Sequence, residues 1–312
     1  ILFGDIADVV REASYWAAQD GSAVVTAAQV AHSIRARNER VNLYEQNLHE
    51  AISKKIILVD TTGSAVGQVN GLSVVDLGDT TFGQPSRITA TIGVGREGVV
   101  DLQRESKMSG PIHSKAVLTM HGFLVDRYAT DTPLTLAASL SFEQSYGMIE
   151  GDSATCAESC ALLSRLADVP VKQSLAITGS MDQRGEVQAI GGANHKIEGF
   201  FDVCRDRGLT GEQGVIVPAS NVQHLMLRED VVEAVRQGQF HVYSISTIDD
   251  ALELLTGLEA GDRGPDGSYP AESINGRVQA TLVRFAERLR EFVEEHADGV
   301  RPAVRETEAE QA

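Results

Sequence analysis

A chain of 312 residues is long enough to bury at least one full core and, by length, two domains. Its 42% hydrophobic and 23% charged residues are ordinary for a globular protein in water. A net charge of −17 argues against a broad phosphate-gripping surface, and an aromatic content of 5% against a stacking platform for single strands, so no nucleic-acid partner is expected.

Three cysteines, Cys156, Cys160 and Cys204, are too few and odd in number for a disulfide framework, which makes a reducing cytoplasmic location the expectation. No apolar run approaches the about 18 residues needed to span a bilayer. No basic leader opens the chain, and the first residue is Ile1 rather than methionine, so a piece of a longer polypeptide is expected.

In chain order, residues 1–57 read as helical. Val9, Val10, Ala13, Trp16 and Ala17 recur at three- and four-residue steps. Asp20-Gly21-Ser22 ends that helix, and Thr26 is an N-cap for a second, charged one through Arg35 and Arg40. From Ile56 the pattern changes to strands and tight turns. Ile56 to Val59 is a short apolar run, Gln68 to Val75 is β-rich with a turn signal at Asn70-Gly71, and Ile88 to Ile92 alternates. Gly110 to Tyr128 predicts a helix with Pro111 near its start, and Leu134 to Phe142 a strand.

Beyond this, helix and strand alternate: helix from Ser153 to Leu166, strands at Gln173–Thr178 and Glu186–Ile190, and helix from Gly192 to Arg205. Strand Gly214–Val217, helix Asp230–Gln237, strand Phe240–Tyr243 and helix Ile248–Leu255 complete the unit. The alternation places residues 58–257 in an α+β class with α/β alternation, preceded by a small helical subdomain. Gly257 to Pro270 reads as a linker, and Ser273 to Glu295 as an amphipathic helix with Val278, Leu282, Phe285, Leu289 and Phe292 on one stripe. Residues after Ala297 are polar and expected to lack order.

Two motifs carry chemistry. Glu150-Gly151-Asp152-Ser153-Ala154 sits where a loop meets a helix, and Ile190-Gly191-Gly192-Ala193-Asn194-His195-Lys196 leads through paired glycines into another. Both lie near helix N-termini, where unpaired N–H groups and the dipole favour developing negative charge. A serine needs a base, and a lysine serves if burial holds its amine neutral; Ile190, Ala193, Ile197 and Phe200 make an apolar neighbourhood for Lys196. Read singly, Ser153 is more simply a helix N-cap and Lys196 a solvated helix lysine.

Other chemistries fit less well. No Gly-x-Ser-x-Gly elbow is present, since Thr155 stands two after Ser153. His195 adjoins Lys196 on a helix, where consecutive side chains diverge by about 100°, so both cannot face one serine. Cys156 and Cys160 read as core thiols, because no further Cys-x-x-Cys or histidine cluster completes a metal site. No Gly-x-x-x-x-Gly-Lys-Ser/Thr loop occurs, so no cofactor is expected on this chain.

Taken together and in order, these motifs resemble the proteolytic domain of the Lon family of AAA+ ATP-dependent proteases, over about Gln68 to Leu255. Glu150 to Ala154 resembles the nucleophile motif in its membrane-type, archaeal-like form. Ala176-Ile177-Thr178-Gly179-Ser180 with Arg184-Gly185-Glu186-Val187 resembles the family's Thr-Gly hairpin, and Ile190-Gly191-Gly192 with Lys196 the base motif. The soluble bacterial form has Pro-Lys-Asp-Gly-Pro before its Ser-Ala, which is absent here.

The resemblance implies a Lon proteolytic fold behind a partial AAA+ lid at 1–57, with 258–312 as linker, amphipathic helix and acidic tail. It implies Ser153 as nucleophile, Lys196 as general base, Thr178 holding the lysine amine, and backbone N–H groups around Ser153 as oxyanion hole. Asp152 and Glu150 match acidic positions of that branch and would pair with Lys196 at rest. ATP and Mg would belong to an upstream AAA+ module, the assembly would be a homo-hexamer, and the substrates unfolded or damaged proteins. The alternatives are a non-catalytic Lon-like assembly or binding module and a latent protease.

Overall fold

The computed structural model describes residues 3–297; the polar stretch after Ala297 therefore lies outside the described residues. Helices α1 (Phe3–Gln19) and α2 (Ala27–Val41) form an antiparallel hairpin, and α3 (Leu43–Ser53) leads away from it. Thr26 and Gln29 form the capping box that starts α2. Ala13 and Ala17 of the expected stripe are buried against α2, whereas Val10 faces outward. The small residues let the helices approach closely enough for Ser33 Oγ to donate to Val9 O over 3.1 Å. Arg40 closes the hairpin with two bonds to Glu12.

Four strands follow: β1 (Ser64–Val66), β2 (Gln68–Asp76), β3 (Thr81–Gly93) and β4 (Gly98–Asp101). A single turn α4 (Leu102–Glu105) precedes α5 (Pro111–Tyr128), β5 (Ala137–Phe142), α6 (Thr155–Ala167), β6 (Pro170–Lys172), β7 (Leu175–Ile177), β8 (Ser180–Met181) and β9 (Val187–Gln188). The chain then runs through α7 (Ala193–Arg207), β10 (Gly214–Pro218), α8 (Glu229–Arg236), β11 (His241–Ile245), α9 (Ile248–Thr256) and α10 (Ile274–Ala297).

A seven-stranded mixed sheet of order β11-β10-β7-β2-β3-β5-β4 organises the molecule. The β11-β10-β7-β2 side is parallel, and β3 runs antiparallel to both β2 and β5. Both faces are covered, which the alternation along the strands shows directly. In β7, Leu175 and Ile177 enter the core under α6 and α9, while Ala176 enters the opposite core under α7. In β10, Ile216 belongs to the first and Val215 and Val217 to the second. Helix α6 is the central element: every residue except Arg165 is buried, as expected for a helix enclosed on all sides.

Several expectations give way to tertiary packing. Asn70-Gly71 is no turn but the middle of β2, where the Asn70 amide donates to Asp60 O and Gln173 O. A side chain at Gly71 would strike Ile88, so glycine is there for close packing rather than for turning. Ile56 to Val59 forms no strand; its first N–H groups finish the end of α3 by donating to Ala51 O. The strand expected at Glu186–Ile190 shrinks to Val187–Gln188, because its partner β8 is equally short. The stripe of α10 is buried through Ile274, Val278, Leu282 and Phe285 and packs on the same core as α6, while Phe292 beyond it is 58% exposed.

Candidate active site

Two loops and a helix converge at one end of α6. The loop before it carries Ser153, with the helix itself starting at Thr155 rather than at the serine. Thr155 anchors this turn by donating from N and Oγ1 to Asp152 O, over 3.1 and 2.5 Å. The segment after β7 brings Thr178 and Gly179 alongside. Gly179 N donates to Ser153 O over 2.8 Å, and Cys156 N returns a bond to Gly179 O over 3.0 Å. A side chain on Gly179 would press on Cys156 Sγ, so the serine loop and the Thr-Gly segment lie backbone to backbone.

Helix α7 supplies Lys196. Its depth over the sheet is set by two glycines far apart in sequence: a Cβ on Gly83 of β3 would collide with His195 O, and one on Gly199 with Gly83 O. Without side chains at these points, helix and strand backbones touch and Lys196 is carried inward to 3% exposure. Asn221 steadies the approach to α7, accepting from Ile190 N over 2.9 Å and donating to Ile190 O over 2.8 Å.

The result is a short relay. Lys196 Nζ lies 2.7 Å from Ser153 Oγ, a contact spanning 43 positions, and 3.0 Å from Thr178 Oγ1. Thr178 Oγ1 donates in turn to Ser153 O over 3.1 Å. Burial pushes the Lys196 ammonium down to about 8, and the charge of Asp152 opposes that fall. Among the described residues, the N–H groups of Ser153 and Ala154, both in the serine loop, donate to no acceptor. A cleft of about 510 Å³ opens beside the loop between Asp152, Thr155, Lys115, Thr119, Met181 and Gln183. The arrangement can deprotonate a hydroxyl and stabilise a nearby oxyanion, with room for a ligand beside the loop.

The two acidic residues are placed differently from the resting-state expectation. Neither forms an ion pair with Lys196 among the described residues. Glu150 is exposed and turns to the start of α5, where its Oε1 accepts from Ile112 N over 3.2 Å; a carboxylate there is favoured by the helix dipole. Asp152 is exposed and acts on the amine only through space. His195 is half-buried on another side of α7, with Glu198 and Arg228 around a separate hollow. Cys156, Cys160 and Cys204 are free and buried, and burial pushes each thiol up, which disfavours the thiolate a nucleophile needs.

Sequence reasoning missed Gly83 and Gly199, whose role depends on a contact between distant segments. It also missed a buried trio beneath the serine loop, Asp101, His113 and Glu158. Glu158, an acidic residue between Cys156 and Cys160, which read as core thiols, was the available signal for the last.

Among the described residues, no helix is long and apolar enough to cross a membrane. Residues 145–257 match the Lon protease (S16) C-terminal proteolytic domain, and residues 1–40 the AAA+ ATPase LID domain of archaeal LonB. A Lon protease homolog of Escherichia coli strain K12 is 44% identical over 227 residues, covering 72% of this chain and 39% of that protein. One from Haemophilus influenzae is 43% identical over 242 residues, covering 77% and 40%. The archaeal Lon protease of Thermococcus kodakarensis is 28% identical over 254 residues, covering 80% and 37%. The chain thus spans about two fifths of the length of these relatives. With the lid and the proteolytic domain in this order, around an α+β sheet that seats the Glu-Gly-Asp-Ser loop, the chain belongs to the Lon protease family.

Proposed function

We propose that this chain is the hydrolytic portion of an ATP-dependent serine endopeptidase in which Ser153 is the nucleophile and Lys196 the general base. The observation that carries this reading is the 2.7 Å approach of a buried lysine amine to the serine hydroxyl. With its pKa near 8, roughly a tenth of Lys196 is neutral at pH 7, far more than of a solvated lysine. The neutral amine takes the Ser153 proton as Oγ attacks the scissile carbonyl. The oxyanion that forms accepts from the free N–H groups at Ser153 and Ala154. The resulting ammonium gives its proton to the leaving amine, and the same amine then activates the water that releases the acyl group. Thr178 orients Nζ through its hydroxyl, which Ser153 O holds in turn.

The substrates on this reading are unfolded or damaged proteins threaded as extended chains to the cleft beside Asp152, within a cytoplasmic homo-hexamer. The sequence holds no phosphate loop, so ATP and Mg would act on an AAA+ core in the parent polypeptide, and no step here passes through them. A purely structural module would gain nothing from desolvating Lys196 against a hydroxyl, and this favours the enzyme.

The test is hydrolysis of an unfolded protein by the full-length parent and by its Ser153→Ala and Lys196→Ala forms, with ATP hydrolysis as the control for folding. Cleavage should fall by at least about a thousandfold in both variants. Undiminished cleavage in either would overturn the assignment.

A further inference from the structure

Beneath the serine loop lie three ionisable side chains that the chemistry above does not use. Asp101 ends β4 and caps α4, accepting from Gln103 N over 3.0 Å and Arg104 N over 3.3 Å. His113 stands in the first turn of α5, and Glu158 follows Ser153 by little more than one turn of α6. All three side chains are fully buried. His113 Nε2 is 3.3 Å from Asp101 Oδ2 and 3.6 Å from Glu158 Oε1, and one donor atom of each residue lies within 4.8 Å of the other two.

These atoms are short of partners. Neither oxygen of Glu158 has a hydrogen-bond donor, and the His113 ring meets Asp101 and the Gly151 backbone without a well-formed bond at either nitrogen, although all four atoms are sealed from solvent. Interiors avoid this arrangement, because buried polar atoms lose water and gain nothing in return. No lysine or arginine pairs with Asp101 or Glu158 among the described residues, so two buried carboxylates face a single imidazole. A protonated imidazole would still leave one negative charge. A proton on Glu158 would cancel that charge and leave its oxygens without partners. A divalent cation would answer both deficits at once, neutralising two carboxylates with the imidazole uncharged.

The two separations to the imidazole nitrogen suit such an ion. Ligand atoms 3.3 and 3.6 Å apart are what bonds of about 2.0–2.2 Å subtend at near-tetrahedral angles. A mixed set of one nitrogen and two carboxylates selects Zn²⁺ over Ca²⁺ or Mg²⁺, which take oxygen alone. The surroundings orient the ligands. The Gln103 amide, turned so that both its atoms are satisfied, donates to Asp101 Oδ1 over 3.0 Å and accepts from Phe142 N over 3.2 Å. The Phe142 ring meets the imidazole edge-on at 5.6 Å.

We propose that Asp101, His113 and Glu158 form a structural Zn²⁺ site that ties β4, α5 and α6 together under the nucleophile loop. The backbone of Gly151, two residues before Ser153, lies beside the His113 ring, so the ion would brace the loop from below.

The test uses the full chain, stripped with a chelator and then given Zn²⁺ alone, with metal analysis and thermal melting as readouts. About one Zn²⁺ per chain should be retained, with a melting temperature several degrees higher that falls again on chelation. His113→Gln and Glu158→Gln should each abolish uptake. If either variant does not fold, the wild-type comparison with and without chelator decides alone. Wild-type protein that takes up no Zn²⁺ at tens of micromolar and melts identically in both states would overturn the site. Undiminished uptake by both folded variants would overturn it equally.

Discussion

Replacing Lys196 by methionine, similar in length but uncharged, isolates the cost of holding an ammonium in the site. A fall from 10.5 to about 8 corresponds to roughly 3 kcal/mol against folding at neutral pH, at about 1.4 kcal/mol per pH unit. Methionine also gives up the bonds to Ser153 Oγ and Thr178 Oγ1, worth about 1 kcal/mol each. The variant should therefore be more stable than wild type at pH 7, by on the order of 1 kcal/mol. The sign of the pH dependence follows from the lowered pKa. Below pH 8 both folded and unfolded chains carry the charge, and the full cost applies. Between about 8 and 10.5 only the unfolded chain holds the proton, so wild-type stability climbs relative to the variant by up to roughly 3 kcal/mol. Denaturant unfolding of both proteins at a series of pH values across this window measures the difference directly. Parallel curves from pH 7 to 10.5 would refute the reasoning, and with it the supply of neutral amine that the proposed hydrolysis needs.

Thr178→Val removes the hydroxyl between Nζ and Ser153 O, so turnover should drop about ten- to a hundredfold with KM little changed, and Thr178→Ser should restore most of it. Asp152→Asn removes the charge that opposes the fall in the Lys196 pKa, so the rising limb of the pH–rate profile should move to lower pH; an unmoved limb would show that Asp152 does not act on the amine. Gly199→Ala drives a methyl into Gly83 O and should lower stability by about 2–4 kcal/mol in denaturant unfolding, whereas a change below about 0.5 kcal/mol would show that α7 can slide on β3.

Local pattern sufficed for the long elements. Pro111 at the start of α5, the Thr26-Gln29 box before α2 and the apolar runs of β10 and α9 are decisions within a few neighbouring residues, and the helices and strands follow them. It failed where distant segments settle the outcome. Asn70-Gly71 carries a turn signature, but β3 on one side and β7 on the other hold it as mid-sheet strand, and the bonds they supply outweigh a dipeptide preference. Likewise Glu150 shares a motif with Ser153 but spends its carboxylate on the first turn of α5, a partner no local pattern announces.

Ser153, Thr178 and Lys196 were nameable in the sequence because each sits in a short ordered motif before or after a glycine, and the order of those motifs is itself a one-dimensional property. What depended on three dimensions was the state of the lysine. Its depth is fixed by the contact of Gly83 with α7, its orientation by the Thr178 hydroxyl, and its lowered pKa by the burial that results. The trio of Asp101, His113 and Glu158 is the extreme case, with three residues on three elements meeting only once the sheet and α6 are packed. Sequence by itself thus determined which groups are present and in what order, since covalent neighbours carry those patterns. Tertiary structure alone decided which groups are desolvated and against what, because burial is a property of the packed chain and of no residue within it.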